Sequence, residues 1–302
     1  MEYKEAFLDY MLYERRCSQL TVIAYDNDLR LLEEFMSANN LGDIATATSA
    51  VIRKWIMHLL GGGMVERSVN RKIASVRSFF RYLLKEGVVE VNPCSVITNV
   101  KTPKALPVFL HANDMDFMLD QCDYPDTYAG HRDRTILELF YLTGMRLAEL
   151  VGLDDGQIDF ARHIILVNGK RQKQRIIPFS ERMEMVLKSY LQRRNFEFGD
   201  SVVGGRFFLT DKGEAIYPKL VYRVVHRHIE MVSTITRKSP HVLRHTFATV
   251  LLNNGADLMA IKELLGHTSL AATQIYVHSD FEQLNKVYNK AHPRAKSKED
   301  LI

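Results

Sequence analysis

The sequence predicts a mainly α protein in two parts: four helices first, then an α-rich second domain carrying a small antiparallel β-sheet. Three observations predict it. Apolar residues recur at helical spacing through 1–90, and the stretch 92–110 holds three prolines and no regular period. HIILVNGKRQKQRIIPF, 163–179, places two apolar runs on either side of an Asn168–Gly169 turn, the pattern of a hairpin. A chain of 302 residues, 46% hydrophobic and 25% charged, is long enough to bury a core in each part. The expected division is a first domain over 1–91, a linker over 92–110 and a second domain over 111–302.

Helices are expected near 4–15, 20–37, 49–60 and 68–86. The third starts at Thr48/Ser49, residue types that cap helix N-termini, and stops at Gly61–Gly62–Gly63. The fourth begins at Ser68 and ends at Gly87, with Val69, Ile73, Val76, Phe79, Phe80 and Leu83 as its buried stripe. That leaves Asn70, Arg71, Lys72, Ser75, Ser78 and Arg81 outward, either as a solvated face or as a surface for a nucleic-acid backbone. The charge distribution is uneven. Residues 1–48 carry 4 Lys/Arg against 9 Asp/Glu, whereas 49–105 carry 10 against 3, so a net charge of only +4 conceals a basic segment.

In the second domain, ANDMDFMLDQC reads as a helix capped near Asn113. RDRTILELFYLTGMRLAELVGL, 132–153, reads as a helix, a break at Thr143–Gly144 and another helix. A short strand is expected at 206–210, and helices after about 216. Cys17, Cys94 and Cys122 are far apart and make no CxxC pair, so neither a disulfide framework nor a thiolate metal site is suggested, and a reducing cytoplasm fits. MEYKEAFLDY lacks a basic region followed by an apolar stretch, and no run of about 18 apolar residues occurs, so export and a membrane partner are not expected.

Chemistry is concentrated in SPHVLRHTF, 239–247. Ser239 suits an N-cap and Pro240 a first helical turn, so a helix runs from there to the Asn254–Gly255 stop. His241 then sits in the first turn, and Arg244, three residues on, shares its face. A positive helix end bearing an imidazole and a guanidinium is a seat for phosphate. Next, DLMAIKELLGH closes at Gly266 with His267 just beyond, and TSLAATQIYVH opens another helix with Tyr276 on its second turn. His241 and His245 have zinc-ligand spacing, but Val242 replaces the glutamate of HExxH and no cysteine lies close, so no metal is expected.

TGMRLAEL, VNGKRQKQR, HVLRHTFAT, LLGH and TQIYVH, in this order, resemble the motif set of the tyrosine site-specific recombinases, the phage integrase family. RKIASVRSFFRYLLKEGVVEVNPCSVI and the ending KVYNKAHPRAK are similar to corresponding segments of its Xer subgroup. The resemblance implies a SAM-like core-binding domain followed by a catalytic domain with a C-terminal exchange helix. It also implies DNA strand cleavage and transfer through a 3′-phosphotyrosyl ester that conserves bond energy, with no ATP, metal or other cofactor.

By resemblance Tyr276 is the nucleophile, and His241 removes its proton or orients the phosphate. Arg146 and Arg244 neutralise the phosphoryl oxygens, and His267 donates to one of them. Lys170, in the hairpin turn, protonates the leaving 5′-oxygen, with Arg171, Lys173 and Arg175 as alternatives for that role and as DNA contacts. Glu149 supports Arg146. Asn70, Arg71, Lys72, Ser75 and Arg81 are the expected DNA contacts of the first domain. The implied partners are double-stranded DNA, gripped by two domains closing as a clamp, and a homo- or hetero-tetramer with a related recombinase on two DNA sites. A helix at 281–290, with Phe281, Leu284 and Val287 as its apolar side, would be passed between subunits of that ring. A DNA translocase is a further implied partner. The expected role is resolution of chromosome or plasmid dimers, favoured over a lambda-type integrase because no arm-binding domain precedes residue 1. The alternatives are an integrase or invertase of a mobile element and a non-catalytic DNA-binding regulator.

Overall fold

The computed structural model describes residues 2–103, 108–168, 174–199, 205–266, 287–288 and 290–294. It divides the chain into two compact units, Met1–Ala105 and Leu106–Ile302.

The first unit is built from α1 (Glu2–Asp9), which runs on into a π turn (Tyr10–Glu14), α2 (Gln19–Ala38), α3 (Ser49–Gly61) and α4 (Glu66–Lys85). Polar caps set two starts: Ser18 Oγ accepts from the Thr21 amide at 3.2 Å and Thr48 Oγ1 from the Val51 amide at 3.4 Å. The fourth helix starts at Glu66, ahead of the expected Ser68, because Val65 already adopts the extended cap conformation. Val69, Ile73, Val76, Phe79, Phe80 and Leu83 are fully buried in one cluster with Phe7, Leu29, Leu32 and Trp55. The chain beyond α4 packs back on it, with Cys94 and Ile97 in the same cluster and Asn70 bonded to both the N–H and C=O of Val100 at 2.8 Å.

Lys72 and Ser75, expected on an outward DNA-facing surface, are buried. Both bond to Asp28 of α2, which is itself fully buried: Lys72 Nζ donates to Oδ1 at 2.8 Å and Ser75 Oγ to Oδ2 at 2.7 Å. Arg71 adds a two-pronged ion pair to the same carboxylate at 2.6 and 2.7 Å while its side chain stays 53% exposed. The physical reason is the demand of a buried carboxylate, which must be paired to be tolerated. The outer stripe of α4 is therefore Arg67, Arg71, Ala74, Arg81 and Lys85.

The second unit comprises α5 (Ala112–Asp116), α6 (Tyr128–Thr143), α7 (Leu147–Val151), strands β1 (Ile158–Asp159), β2 (Ile164–Asn168) and β3 (Gln174–Pro178), then α8 (Glu181–Phe198), α9 (Pro218–Val232), α10 (Pro240–Asn253) and α11 (Leu258–Leu264). The sheet has the order β1-β2-β3, antiparallel throughout, with Ile165 opposite Ile177 and Val167 opposite Arg175. Alternate residues Ile165, Val167 and Ile177 enter the core. The third strand is thus Ile158–Asp159, not 206–210. Phe207, Phe208 and Leu209 are buried, but this segment makes only single bridges, Asp154 to Arg206 and Leu209 to Ala215. Helix α8 was not foreseen. Met183, Leu187, Tyr190 and Arg194 form its buried stripe, and Arg194 pairs with Asp155 at 2.7 Å and with the Phe207 carbonyl at 3.0 Å.

Of the expected 281–290 helix, 281–286 and 289 lie outside the described residues. Tyr288, Ala291 and His292 pack on the same unit as α10 and α11, in contact distance of the Phe247 and Leu264 cluster. Arg294 pairs with Asp116 at 2.8 Å and also with Asp120. His292 is fully buried, and its Nε2 faces the Tyr141 carbonyl at 3.2 Å while Nδ1 accepts from the Arg294 amide at 3.3 Å. Burial, assisted by Arg294, pushes its pKa down to about 3. The unfolded chain, with an ordinary pKa of about 6.5, takes up a proton that the folded chain refuses. Stability from this group is therefore complete above about pH 6.5 and is lost progressively as pH falls toward 3, by about 2 kcal/mol at pH 5. Urea unfolding of the unaltered chain and of His292→Gln between pH 7 and 5 checks this: the variant should show the shallower pH dependence.

Candidate active site

Two helices end where the expected catalytic arginines lie. Helix α6 stops at Gly144, whose φ of 57° terminates the helix and points its carbonyl inward. Helix α11 stops before Gly266, with φ of 63°. A helix C-terminus presents carbonyls that lack helical partners and carries partial negative charge, so cations gather there. Arg244, from α10, donates Nη1 to the Gly144 carbonyl and Nη2 to the Leu265 carbonyl, each at 2.5 Å. Arg146 occupies the cap position of α7 and donates Nη2 to the Gly266 carbonyl at 2.9 Å.

Glu149 completes the cap. Its Oε2 accepts from the Arg146 backbone amide at 2.7 Å and its Oε1 from Arg146 Nη1 at 2.8 Å. A third guanidinium joins from β3: Arg175 Nη2 donates to Glu149 Oε2 at 2.7 Å, and Nη1 donates to the Leu264 carbonyl. Burial pushes the Glu149 carboxyl up, but Arg175 and Arg146 beside it more than offset this and hold it below the usual range. Arg244 is 8% exposed; burial first, then Arg146 and Arg175, push its pKa down to about 10. Three guanidiniums around one carboxylate leave the site short of negative charge, an arrangement chemically suited to an anion such as a phosphate diester.

The structure thus brings Arg146, Arg244 and Glu149 together. His241 is exposed in the first turn of α10, one turn before Arg244, with Ser239 in the cap position and Pro240 opening the helix. Lys170, Arg171, Lys173, His267 and Tyr276 lie outside the described residues. Arg175, expected as a DNA contact, is turned inward with its side chain 9% exposed, because the buried Glu149 carboxylate and the end of α11 claim its donors. In the first unit Arg81 is exposed, Asn70 is committed to the Val100 backbone, and Lys72 and Ser75 are committed to Asp28. Sequence reading passed over the exposed cationic stripe Lys219, Arg223 and Arg227 on α9, whose i, i+4, i+8 spacing was the available signal.

Gly266 makes the close approach possible. A Cβ there would lie 2.6 Å from Arg175 Cδ and 2.9 Å from its Nε. Gly266→Ala should lower stability by about 1–2 kcal/mol from the left-handed backbone alone. The thermal midpoint of the second unit should fall by roughly 4 °C, read by circular dichroism.

Residues 108–283 match the phage integrase family and 5–87 match its N-terminal SAM-like domain. The chain belongs to the phage integrase family of tyrosine recombinases. It is 39% identical over 302 residues to tyrosine recombinase XerC of Pelobacter propionicus, covering 99% of this chain and 98% of the relative. It is 38% identical to tyrosine recombinase XerC of Oceanobacillus iheyensis, covering 97% and 96%. In fold it resembles the XerH site-specific recombinase bound to palindromic difH substrate, with TM-score 0.70, 23% identity and coverage of 91% of this chain and 81% of that one. It also resembles the Tn1549 transposon integrase in complex with transposon right-end DNA, with TM-score 0.71, 19% identity and coverage of 93% and 97%.

Proposed function

We propose that this chain carries out Xer-type site-specific recombination, cutting and rejoining DNA through a 3′-phosphotyrosyl ester on Tyr276, in the resolution of chromosome or plasmid dimers. The observation that carries the reading is the pair Arg146, partly exposed, and Arg244, buried, both held by backbone carbonyls around a site short of negative charge. In the first step the Tyr276 oxygen attacks the scissile phosphorus, the bond from phosphorus to the 5′-oxygen breaks, and a proton passes to that oxygen. Lys170 supplies the proton, while His241 accepts the phenol proton or orients the phosphate. Arg146, Arg244 and His267 hold the charge that builds on the non-bridging oxygens. The 5′-hydroxyl of a partner strand then attacks the same phosphorus and releases Tyr276, so no external energy source enters.

The outer stripe of α4, with Arg67, Arg71, Arg81 and Lys85, and the α9 stripe supply phosphate contacts, so affinity falls with salt. The working assembly is a tetramer of this chain, alone or with a related recombinase, on two double-stranded DNA sites, exchanging the tail helix and acting with a DNA translocase in the cytoplasm. Among the described residues no helix is long and apolar enough to cross a membrane.

Covalent trapping tests the reading. The unaltered chain and Tyr276→Phe are incubated in EDTA with nicked genomic fragments, with and without a related recombinase, then denatured, and the protein-linked DNA is sequenced. The expected result is a 3′-linked adduct at one recurrent site, formed only when Tyr276 is present. No adduct under either condition overturns the reading.

A further inference from the structure

Three consecutive carbonyls close α11, and each is taken by a different arginine. Leu264 accepts from Arg175, Leu265 from Arg244 and Gly266 from Arg146. These are the oxygens that a helix end leaves without intrahelical partners. The last turn of α11 therefore acts as a comb whose teeth set the spacing of three guanidiniums. Two of them are assigned to the phosphate by the reading above, on which this inference rests. The third is given no part in the chemistry.

Arg175 is anchored more firmly than an ordinary surface cation. Its backbone is paired in the sheet opposite Val167, and its side chain is buried. It touches both supports of Arg146. Through Nη2 it shares Glu149 Oε2 with the Arg146 backbone amide, while the other oxygen of that carboxylate holds Arg146 Nη1. Through Nη1 and its aliphatic stem it braces Leu264 and Gly266, the latter bearing the carbonyl that holds Arg146 Nη2. Both contacts that orient the Arg146 guanidinium are thus tied to one residue of β3.

We propose that Arg175 is a positioning residue for the strand-cleavage step: it acts through Glu149 and the end of α11 to hold the Arg146 guanidinium on the scissile phosphate. Removing it frees the Glu149 carboxylate to turn and the α11 end to shift, and Arg146 loses its aim. Sub-ångström to ångström misplacement of a group that meets the transition state lowers rate by about 100-fold.

The test uses the recombination site recovered by covalent trapping, made with either an ordinary scissile phosphate or a methylphosphonate there. The methyl group replaces one non-bridging oxygen, so the phosphorus centre carries no charge for Arg146 to neutralise. Adduct formation is timed for the full chain, Arg175→Met, Arg175→Lys and Arg146→Ala. Arg175→Met should be about 100-fold slower than the unaltered chain on phosphate and within about tenfold of it on methylphosphonate, the same pattern as Arg146→Ala. Arg175→Lys reaches one support but not both and should show a smaller deficit of the same kind; it carries the comparison if Arg175→Met does not fold. An equal deficit on both substrates would mean a strut for the fold, and no deficit on phosphate would mean no role; either overturns the inference. Failure of the unaltered chain to form an adduct on ordinary phosphate is a separate result, which removes the proposed function itself.

Discussion

Replacing Arg244 with alanine should slow covalent adduct formation by about 1,000-fold while leaving the fold in place. The rate term follows from the loss of one fixed charged donor at a phosphoryl group, for which losses of about 100- to 1,000-fold are usual. The upper end applies because Arg244 is buried, where a charge is screened least. The modest effect on stability has a separate cause. Alanine leaves the Gly144 and Leu265 carbonyls without their guanidinium, but it also removes a cation that burial, Arg146 and Arg175 all disfavour. These contributions oppose each other, so the thermal midpoint should move by only about 3 °C. Arg244→Lys should recover little, since one ammonium cannot bond two divergent carbonyls and still face a phosphate. Single-turnover kinetics with the trapped site, alongside a melting curve, checks both parts; a large fall in melting temperature with Arg244→Ala would contradict the second.

Asp28→Ala should destabilise the first unit by about 3–5 kcal/mol, the range for stripping a buried charge of its partner. The damage comes from Lys72, only 6% exposed, whose ammonium loses its carboxylate. Arg71 can swing into water and adds little, because its side chain is half outside already. If this partition is right, Asp28→Leu combined with Lys72→Met should recover most of the loss, since replacing both members of a buried pair with apolar groups is close to neutral. A double-mutant cycle by urea unfolding measures it, and the two substitutions should be strongly non-additive. Simple additivity would place the damage elsewhere.

Asp28 also explains what sequence reading could and could not reach. The apolar stripe of α4 was legible because Val69, Ile73, Val76, Phe80 and Leu83 repeat at helical spacing, and all of them are buried. Lys72 and Ser75 were misplaced because their residue types suggested an outward face, although both share the side of Phe79 at i+7 and i+4. Their partner lies 44 and 47 residues away on another helix, beyond any local pattern. The same limit explains 206–210. Three apolar residues in a row satisfy strand and buried loop alike, and only the position of Ile158–Asp159 beside β2 decides which segment joins the sheet. Helix α8 was readable in principle from Met183, Leu187 and Tyr190, but Met185, which is exposed, and Leu191, which is half-buried, are apolar residues off that stripe and blur its period.

The site was legible to the extent that its members are short motifs. TGMRLAEL gave Arg146 with Glu149 three residues on, and HVLRHTFAT gave Arg244; the structure joins all three. Arg175 stood inside the basic run KRQKQR, where composition pointed to solvent and DNA. Its true surroundings depend on strand register, which turns one residue of such a run inward while its neighbours need not follow.

Among the described residues, the hydrogen bonds that hold Arg244 are made by main-chain oxygens. The Leu265 carbonyl is a main-chain group whatever side chain its residue carries, so drift in residue type along α11 leaves that half of the grip intact. Drift in residue number does not. One residue inserted or deleted in that helix rotates every later carbonyl by about 100° about the axis. What descent must preserve here is therefore a count, the length of a helix of seven residues, more strictly than the identities of most of the residues within it.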